Sequence, residues 1–331
     1  MIRLLRSNIL DITGFTVILA LLWLLSLGSG LKETIVIPPS LLNLNTIFLS
    51  ILIEAFPFVL IGVLIAGMIQ IFVTEEHISK WIPKNKYMAI VMSCSVGALF
   101  PACECGIVPI VRRLVGKGVP VAAAIGFMLT GPLINPIVIA STYMAFGNDV
   151  KIAALRMSLG FIIALIVAFI IGSLFKGTQF KQSFSAVTHS HINNKNFFEK
   201  FWSMLQHSID EFFDMAKYLI AGAFLAAVVQ TYMPAKSLLE IGSGTAASLA
   251  VMMGLAFFLS LCSEADAFIG ASFSSIFPAT SILGFLIFGP MIDLKNTLMM
   301  MSVFRFKFVM SVLAVVAGTV FIILMLLSGL L

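Results

Sequence analysis

The chain has 331 residues, of which 60% are hydrophobic and 11% charged, with a formal net charge of +5 and a mean hydropathy of +1.10. No soluble domain needs that much apolar surface, and no polar stretch is long enough for a separate soluble catalytic domain. The basic residues are spread along short loops, which argues against a nucleic-acid surface and makes them reporters of membrane orientation.

In chain order, Arg3 and Arg6 precede an apolar run that predicts a first transmembrane helix over 12–28, retained rather than cleaved, in an N-terminal unit 1–40. A first repeat, 41–175, holds apolar segments 46–73, 119–147 and 152–175. A basic cytoplasmic linker, 176–207, carries Lys176, Lys181, Lys195 and Lys200. A second repeat, 208–331, holds segments 209–233, 277–303 and 306–331. Two further apolar stretches, 87–116 and 245–275, are interrupted near the middle by polar residues. An arm of about fifteen residues falls short of the roughly twenty needed to span a bilayer. Both stretches therefore read as re-entrant hairpins with tips near the midplane, with two full crossings each as the alternative.

The charge pattern orients this layout. With the N-terminus inside, Arg3 and Arg6, Lys80 to Lys86, Arg112 to Lys117, the 176–207 linker, Arg305 and Lys307 all fall on the cytoplasmic side. Only Lys32, Lys151 and Lys236 fall outside. The C-terminus is then outside, in a multi-pass protein of the cell membrane.

Internal similarity points the same way. Overlaying 54–70 on 214–230 matches Glu54 with Asp214, Gly62 with Gly222 and Gln70 with Gln230. GFMLTGPLIN (126–135) matches GFLIFGPMID (284–293), setting Asn135 opposite Asp293. Because the matched segments run in opposite directions, the expectation is an inverted-topology repeat with a central site. The fold class is thus an all-α polytopic membrane protein with discontinuous helices and one extra N-terminal helix.

The interrupted stretches carry the chemistry. PACECG contains Cys103, Glu104 and Cys105, and LCSEAD contains Cys262, Ser263, Glu264 and Asp266, with Glu104 and Glu264 at matching places. Ionisable groups at membrane depth are costly and usually face a bundle interior or a substrate path. Thiolates suit zinc, copper(I) or trivalent metalloids, and a carboxylate adds a harder donor. Cys103, Cys105, Glu104, Glu264 and Asp266 are therefore the candidate metal ligands, and bound zinc or another soft metal is the one cofactor expected. Asp266 breaks the symmetry, since Gly106 stands opposite it. The bland reading, cysteines as small buried hydrophobes, fits Cys94 better than Cys103 and Cys105.

Pro132, Pro136 and Pro290 predict helix breaks where Asn135 and Asp293 either cap a half-helix or coordinate an ion. Glu54 and Asp214 are proton-relay candidates, although Lys217 could pair structurally with Asp214. A His189-x-His191 pair in the linker is a weaker metal candidate. An enzyme acting on a lipid or a thiol is the rival reading, against which a hydrolase would want a histidine base that these motifs lack and a dithiol redox enzyme would more often show CxxC.

PACECGIVPIVRRLVGKGVP, GFMLTGPLINP, LCSEADAFIGASF and FGPMIDLKN resemble the YraQ/UPF0718 (DUF318) predicted permease family, which includes ArsP-type organoarsenical permeases. The resemblance covers nearly all of the chain after the first helix. It implies a polytopic permease, and its ArsP-type members imply export of trivalent organoarsenicals. Glu104, Glu264 and Asp266 beside the thiols favour a divalent cation such as zinc. The sequence thus predicts a non-enzymatic secondary permease for a soft metal or metalloid, in contact with the lipid bilayer, with room for an accessory subunit and none for nucleic acid.

Overall fold

The computed structural model describes residues 38–72, 82–83, 85–100, 103–181, 197–232 and 244–329. The predicted helix 12–28, residues 182–196 of the linker with His189 and His191, and Pro101 and Ala102 lie outside the described residues. Among the described residues twelve helices follow one another: α1 (Pro39–Phe72), α2 (Lys86–Leu99), α3 (Glu104–Gly116), α4 (Val121–Thr130), α5 (Pro136–Ala145), α6 (Val150–Leu174), α7 (Phe197–Tyr232), α8 (Thr245–Leu259), α9 (Ser263–Ser272), α10 (Ala279–Met291), α11 (Leu294–Val303) and α12 (Phe306–Leu327). No strand forms among the described residues, where an isolated bridge joins Phe180 and Phe304. Among the described residues five stretches, Pro39–Gln70, Val150–Leu174, Met204–Tyr232, Ala279–Val303 and Phe306–Leu327, are long and apolar enough to cross a membrane. The protein is an all-α polytopic membrane protein.

The breaks follow from local chemistry. Segment 119–147 divides into α4 and α5 because Pro136 lacks an N–H and disfavours helical backbone at Asn135. Asn135 then caps α5, its Oδ1 accepting from the Ile137 N–H at 2.9 Å. In 277–303 the helix runs through Pro290 and ends at Met291, and Asp293 caps α11 by accepting from the Asn296 N–H at 2.6 Å. The 87–116 stretch breaks between Leu99 and Glu104, and 245–275 breaks between Leu259 and Ser263. Ser260 at the second break adopts left-handed backbone (φ +48°), which few non-glycine residues do.

The long helices α1 and α7 pack along each other, with Phe48 edge-on to Phe224 at 6.0 Å between ring centroids. Around that pair, α2 packs on α4 and α8 on α10; α4 packs on α6 and α10 on α12. Helix α3 meets α11, α5 meets α9, and α6 meets α12. Small residues permit the closest approaches. A Cβ at Gly62 of α1 would overlap the Gly106 backbone of α3, and one at Gly222 of α7 would come within 2.8 Å of the Lys295 Cα.

Candidate functional site

The four interruptions bring short helices to one buried region. Cys103 and Cys262 occupy the N-cap positions of α3 and α9 in extended backbone, and neither side chain makes a capping hydrogen bond. Both thiols are partly exposed, whereas Cys105 is buried one residue past Glu104. Glu104 sits in the first turn of α3, where the helix dipole favours a carboxylate. It is only 2% exposed.

The group that partners Glu104 is a lysine. Lys295, from the first turn of α11, places its Nζ 3.3 Å from Glu104 Oε1 and 3.5 Å from Asp293 Oδ2. The same ammonium donates to the Ser260 carbonyl at 2.7 Å, using the acceptor freed by the turn after α8. The Ser263 hydroxyl reaches the other Glu104 oxygen, Oε2, at 3.5 Å. Lys295 is 3% exposed. An ammonium that deep is tolerated because two carboxylates and a carbonyl replace its hydration.

A second buried cation lies alongside. Arg156 of α6 donates through Nε to the Leu286 carbonyl at 3.1 Å, through one terminal nitrogen to Thr142 Oγ1 at 2.5 Å, and through the other to the Ser263 carbonyl at 3.1 Å. It thereby ties α6 to α10, α5 and α9. Asp266 and Glu264 act on its charge, yet neither carboxylate oxygen of the 1%-exposed Asp266 has a hydrogen-bond partner among the described residues.

The sequence-predicted residues divide by location. Glu104, Ser263, Asp266 and Asp293 are gathered around Lys295 and Arg156, with Cys103 and Cys105 flanking Glu104. Glu54 of α1 faces the Cys262 thiol and acts on the Lys295 charge. Glu264 is half-buried near Arg156. Asn135 is buried at the start of α5, where its side-chain oxygen is used in capping. Asp214 stands apart, exposed and paired with Lys217 at 3.0 Å. Cys94 packs against Gly126 of α4. Among the described residues no group of three or more His, Cys, Asp and Glu side chains is close enough to hold a metal ion.

Sequence reasoning missed Lys295, Arg156 and the buried Glu211. Glu211 of α7 receives Arg112 at 2.7 Å and Arg113 at the end of α3, and Lys117 donates to the Gln70 carbonyl at 2.8 Å. Lone cations in apolar windows were the available signal for the first two. From the sequence, Arg112 and Arg113 are cytoplasmic charges with no partner to be named.

Residues 40–329 match the family described as predicted permease, ArsP_1. The chain belongs to that family. It is 51% identical over 270 residues to the UPF0718 protein YcgR of Bacillus subtilis, covering 82% of this chain and 92% of that protein. It is 42% identical over 274 residues to a Streptococcus mutans protein named as a two-component membrane permease complex subunit, covering 83% and 91%. A UPF0718 protein of Methanocaldococcus jannaschii is 23% identical over 158 residues, covering 47% and 43%. No solved structure matches. The family and the named relatives make this chain a multi-pass membrane permease.

Proposed function

We propose that the permease is a secondary transporter of a soft, thiophilic cation, a divalent metal such as zinc or a metalloid, built from two inverted repeats. In this reading α1–α6 and α7–α12 are the repeats, corresponding to 41–175 and 208–331, with α1 starting earlier at Pro39 and α7 at Phe197. The pairing α2 on α4 recurs as α8 on α10, and α4 on α6 recurs as α10 on α12. The pairing α3 on α11 recurs as α9 on α5, while α1 and α6 meet their own counterparts α7 and α12. That pattern supports a pseudo-two-fold axis. The orientation, N-terminus inside and C-terminus outside, rests on the charge bias. Contacts between Lys117 and Gln70, Lys86 and Gly172, and Phe180 and Phe304 each join segments that the bias assigns to the cytoplasmic side.

One observation carries the reading: the Lys295 ammonium sits between Glu104 of the first repeat and Asp293 of the second. A cation already occupies the place where a cationic substrate would bind. Lys295 holds the two carboxylates; an arriving metal ion displaces it and draws Glu104 together with Cys103, Cys105 and Cys262, which stand too far apart here to form a metal site, the thiols binding as thiolates and giving up their protons. Asn135 and Asp293 then orient the ligand at the helix breaks. Because the ion pair joins the two repeats, exchanging it for substrate is coupled to their rocking. Glu54, beside Cys262, is favoured over the exposed Asp214 as a proton relay. No catalysis is part of this reading. The complex named for the Streptococcus mutans relative supports an accessory subunit for this chain as well.

Proteoliposomes enclosing a zinc-responsive dye test the substrate class. Zinc entry should be faster with the wild-type protein than with Cys103→Ser/Cys262→Ser. Rates no higher than those of protein-free liposomes would remove the divalent metal and leave a trivalent metalloid, assayed in the same vesicles.

A further inference from the structure

The matched helices of the two halves are packed unequally, and the inequality has a direction. Helix α1 packs along α3 and α7 along α11, but among the described residues α7 does not pack along α9, nor α1 along α5. Helices α3 and α11 are accordingly buried through most of their length, while α5 and α9 leave a face uncovered. Matched positions show the contrast. Lys295 of α11 is 3% exposed and Ile137 of α5 is 60%; Val108 of α3 is 0% exposed and Phe268 of α9 is 54%. Under the charge bias α3 and α11 run from the breaks to the cytoplasmic side, and α5 and α9 run to the outer side. The α1–α7 pair is therefore closed over the cytoplasmic half-helices and parted from the outer ones. It keeps two contacts at the breaks themselves: Glu54 of α1 faces Cys262 at the tip of α9, and Gln230 of α7 donates to the Leu259 carbonyl at 2.6 Å.

Charge holds the cytoplasmic closure. Glu211 of α7 receives Arg112 at 2.7 Å and Arg113 from the last turn of α3, and Lys117 donates to the Gln70 carbonyl of α1 at 2.8 Å. The sequence provides no such latch on the outer side. Opposite Glu211 stands Ile51 of α1, and opposite Arg112 and Arg113 stand Ser272 and Phe273 of α9. The two glycines show why both sides cannot close together. Gly62 lies on the Gly106 backbone and Gly222 on the Lys295 Cα. Exchanging the halves would put Gly222 on Asp266, the match of Gly106, and Gly62 on Ile137, the match of Lys295. Each glycine has one face without a side chain, so α3 excludes α5 from Gly62 and α11 excludes α9 from Gly222.

We infer that the structure is an outward-open state of the permease, latched on the cytoplasmic side by Arg112, Arg113 and Glu211, and that the alternate state forms when α5 and α9 replace α3 and α11 on the α1–α7 pair. This inference rests on the inverted-repeat reading above and specifies the movement within it. The parts that separate are the α1–α7 pair and the half-helices, which exchange places on Gly62 and Gly222. The uncovered faces at Ile137 and Phe268 are then walls of an outer vestibule rather than lipid contacts. Because the latch exists at one end alone, it biases the protein towards this state, as any difference in contacts between two states must.

The test is labelling of the full chain in intact cells with a membrane-impermeant maleimide, each cysteine read separately by mass spectrometry so that the native thiols are kept. Ile137→Cys and Phe268→Cys should label. Ile162→Cys, 47% exposed on α6, should not, since the reagent needs a thiolate in contact with water. Glu211→Gln should slow labelling at Ile137→Cys and Phe268→Cys several-fold, because loss of the latch lets α5 and α9 close. Should that variant not fold, Lys117→Ala should slow it in the same direction by less. No labelling at Ile137→Cys and Phe268→Cys would place both faces in lipid and overturn the open state. Labelling in inverted vesicles alone would overturn its outward direction, and labelling that ignores both latch variants would overturn the latch. No soft substrate enters the test, so its failure leaves the thiophilic reading standing, and a failed zinc assay leaves the open state standing.

Discussion

Gly62 and Gly222 occupy matching positions on the two long helices, yet they receive different partners. Gly62 of α1 lies on the Gly106 backbone of α3, in its own half of the chain. Gly222 of α7 lies instead on Lys295 of α11, and α9, the counterpart of α3, packs on α5 across the molecule. The charges follow the same division. Opposite Gly106, Asn135 and Ile137 in the first half stand Asp266, Asp293 and Lys295 in the second. Similar helices in similar order thus carry neutral residues at three positions of the first half where the second half carries charges, and the second half delivers its lysine to Glu104 of the first.

The largest expected effect exploits that contrast. Lys295→Ala leaves Glu104 and Asp293 buried without their cation, a loss of about 3–5 kcal/mol. Ile137→Ala at the matching position, 60% exposed, should change stability by no more than about 0.5 kcal/mol. Thermal unfolding in detergent compares the two, and similar shifts would mean that the halves do not differ as described. Adding Glu104→Gln to Lys295→Ala should recover part of the loss, since it removes one of the stranded charges.

A smaller effect separates the two glycines. Gly62→Ala and Gly222→Ala both introduce overlaps and should each cost about 1–3 kcal/mol. Gly222→Ala presses on the competing Lys295 and should raise the amount of soft metal the protein retains, whereas Gly62→Ala presses on Gly106, beside the proposed ligands of α3, and should lower it. Equal retention in the two variants would detach Lys295 from the binding site. Smallest of all is Asp214→Asn. It breaks an exposed pair worth less than about 1 kcal/mol, and should leave both stability and transport near wild type, whereas Glu54→Gln should slow transport. A transport defect in Asp214→Asn would restore it as a relay candidate.

Much of this architecture is legible in the sequence. The arms around Cys103-Glu104-Cys105 and Cys262-Ser263-Glu264 are too short to span, and both stretches do divide at those motifs. The GPLIN and GPMID segments do end helices, with Asn135 and Asp293 as caps. The cations were the blind spot. Lys295 stands opposite an isoleucine, so an overlay that rewards matched positions passes over it. Arg156 is a single charge in an apolar segment, and nothing local says that its partners are Leu286, Thr142 and Ser263. Pairings between residues so distant in sequence come from how the helices pack. For the same reason Asp214 and Glu54, equal in sequence, part company in space, one meeting solvent and Lys217 and the other Cys262.

The most direct measurement is elemental mass spectrometry of the purified protein after exposure to zinc and removal of the excess, comparing wild type with Cys103→Ser/Cys105→Ser and Lys295→Met. Near-stoichiometric zinc in the wild type, lost in the double serine variant and retained more tightly once the competing ammonium is gone, is the predicted result. Absence of zinc from all three folded proteins, or retention that ignores both substitutions, would contradict a thiol and carboxylate site held in reserve by Lys295.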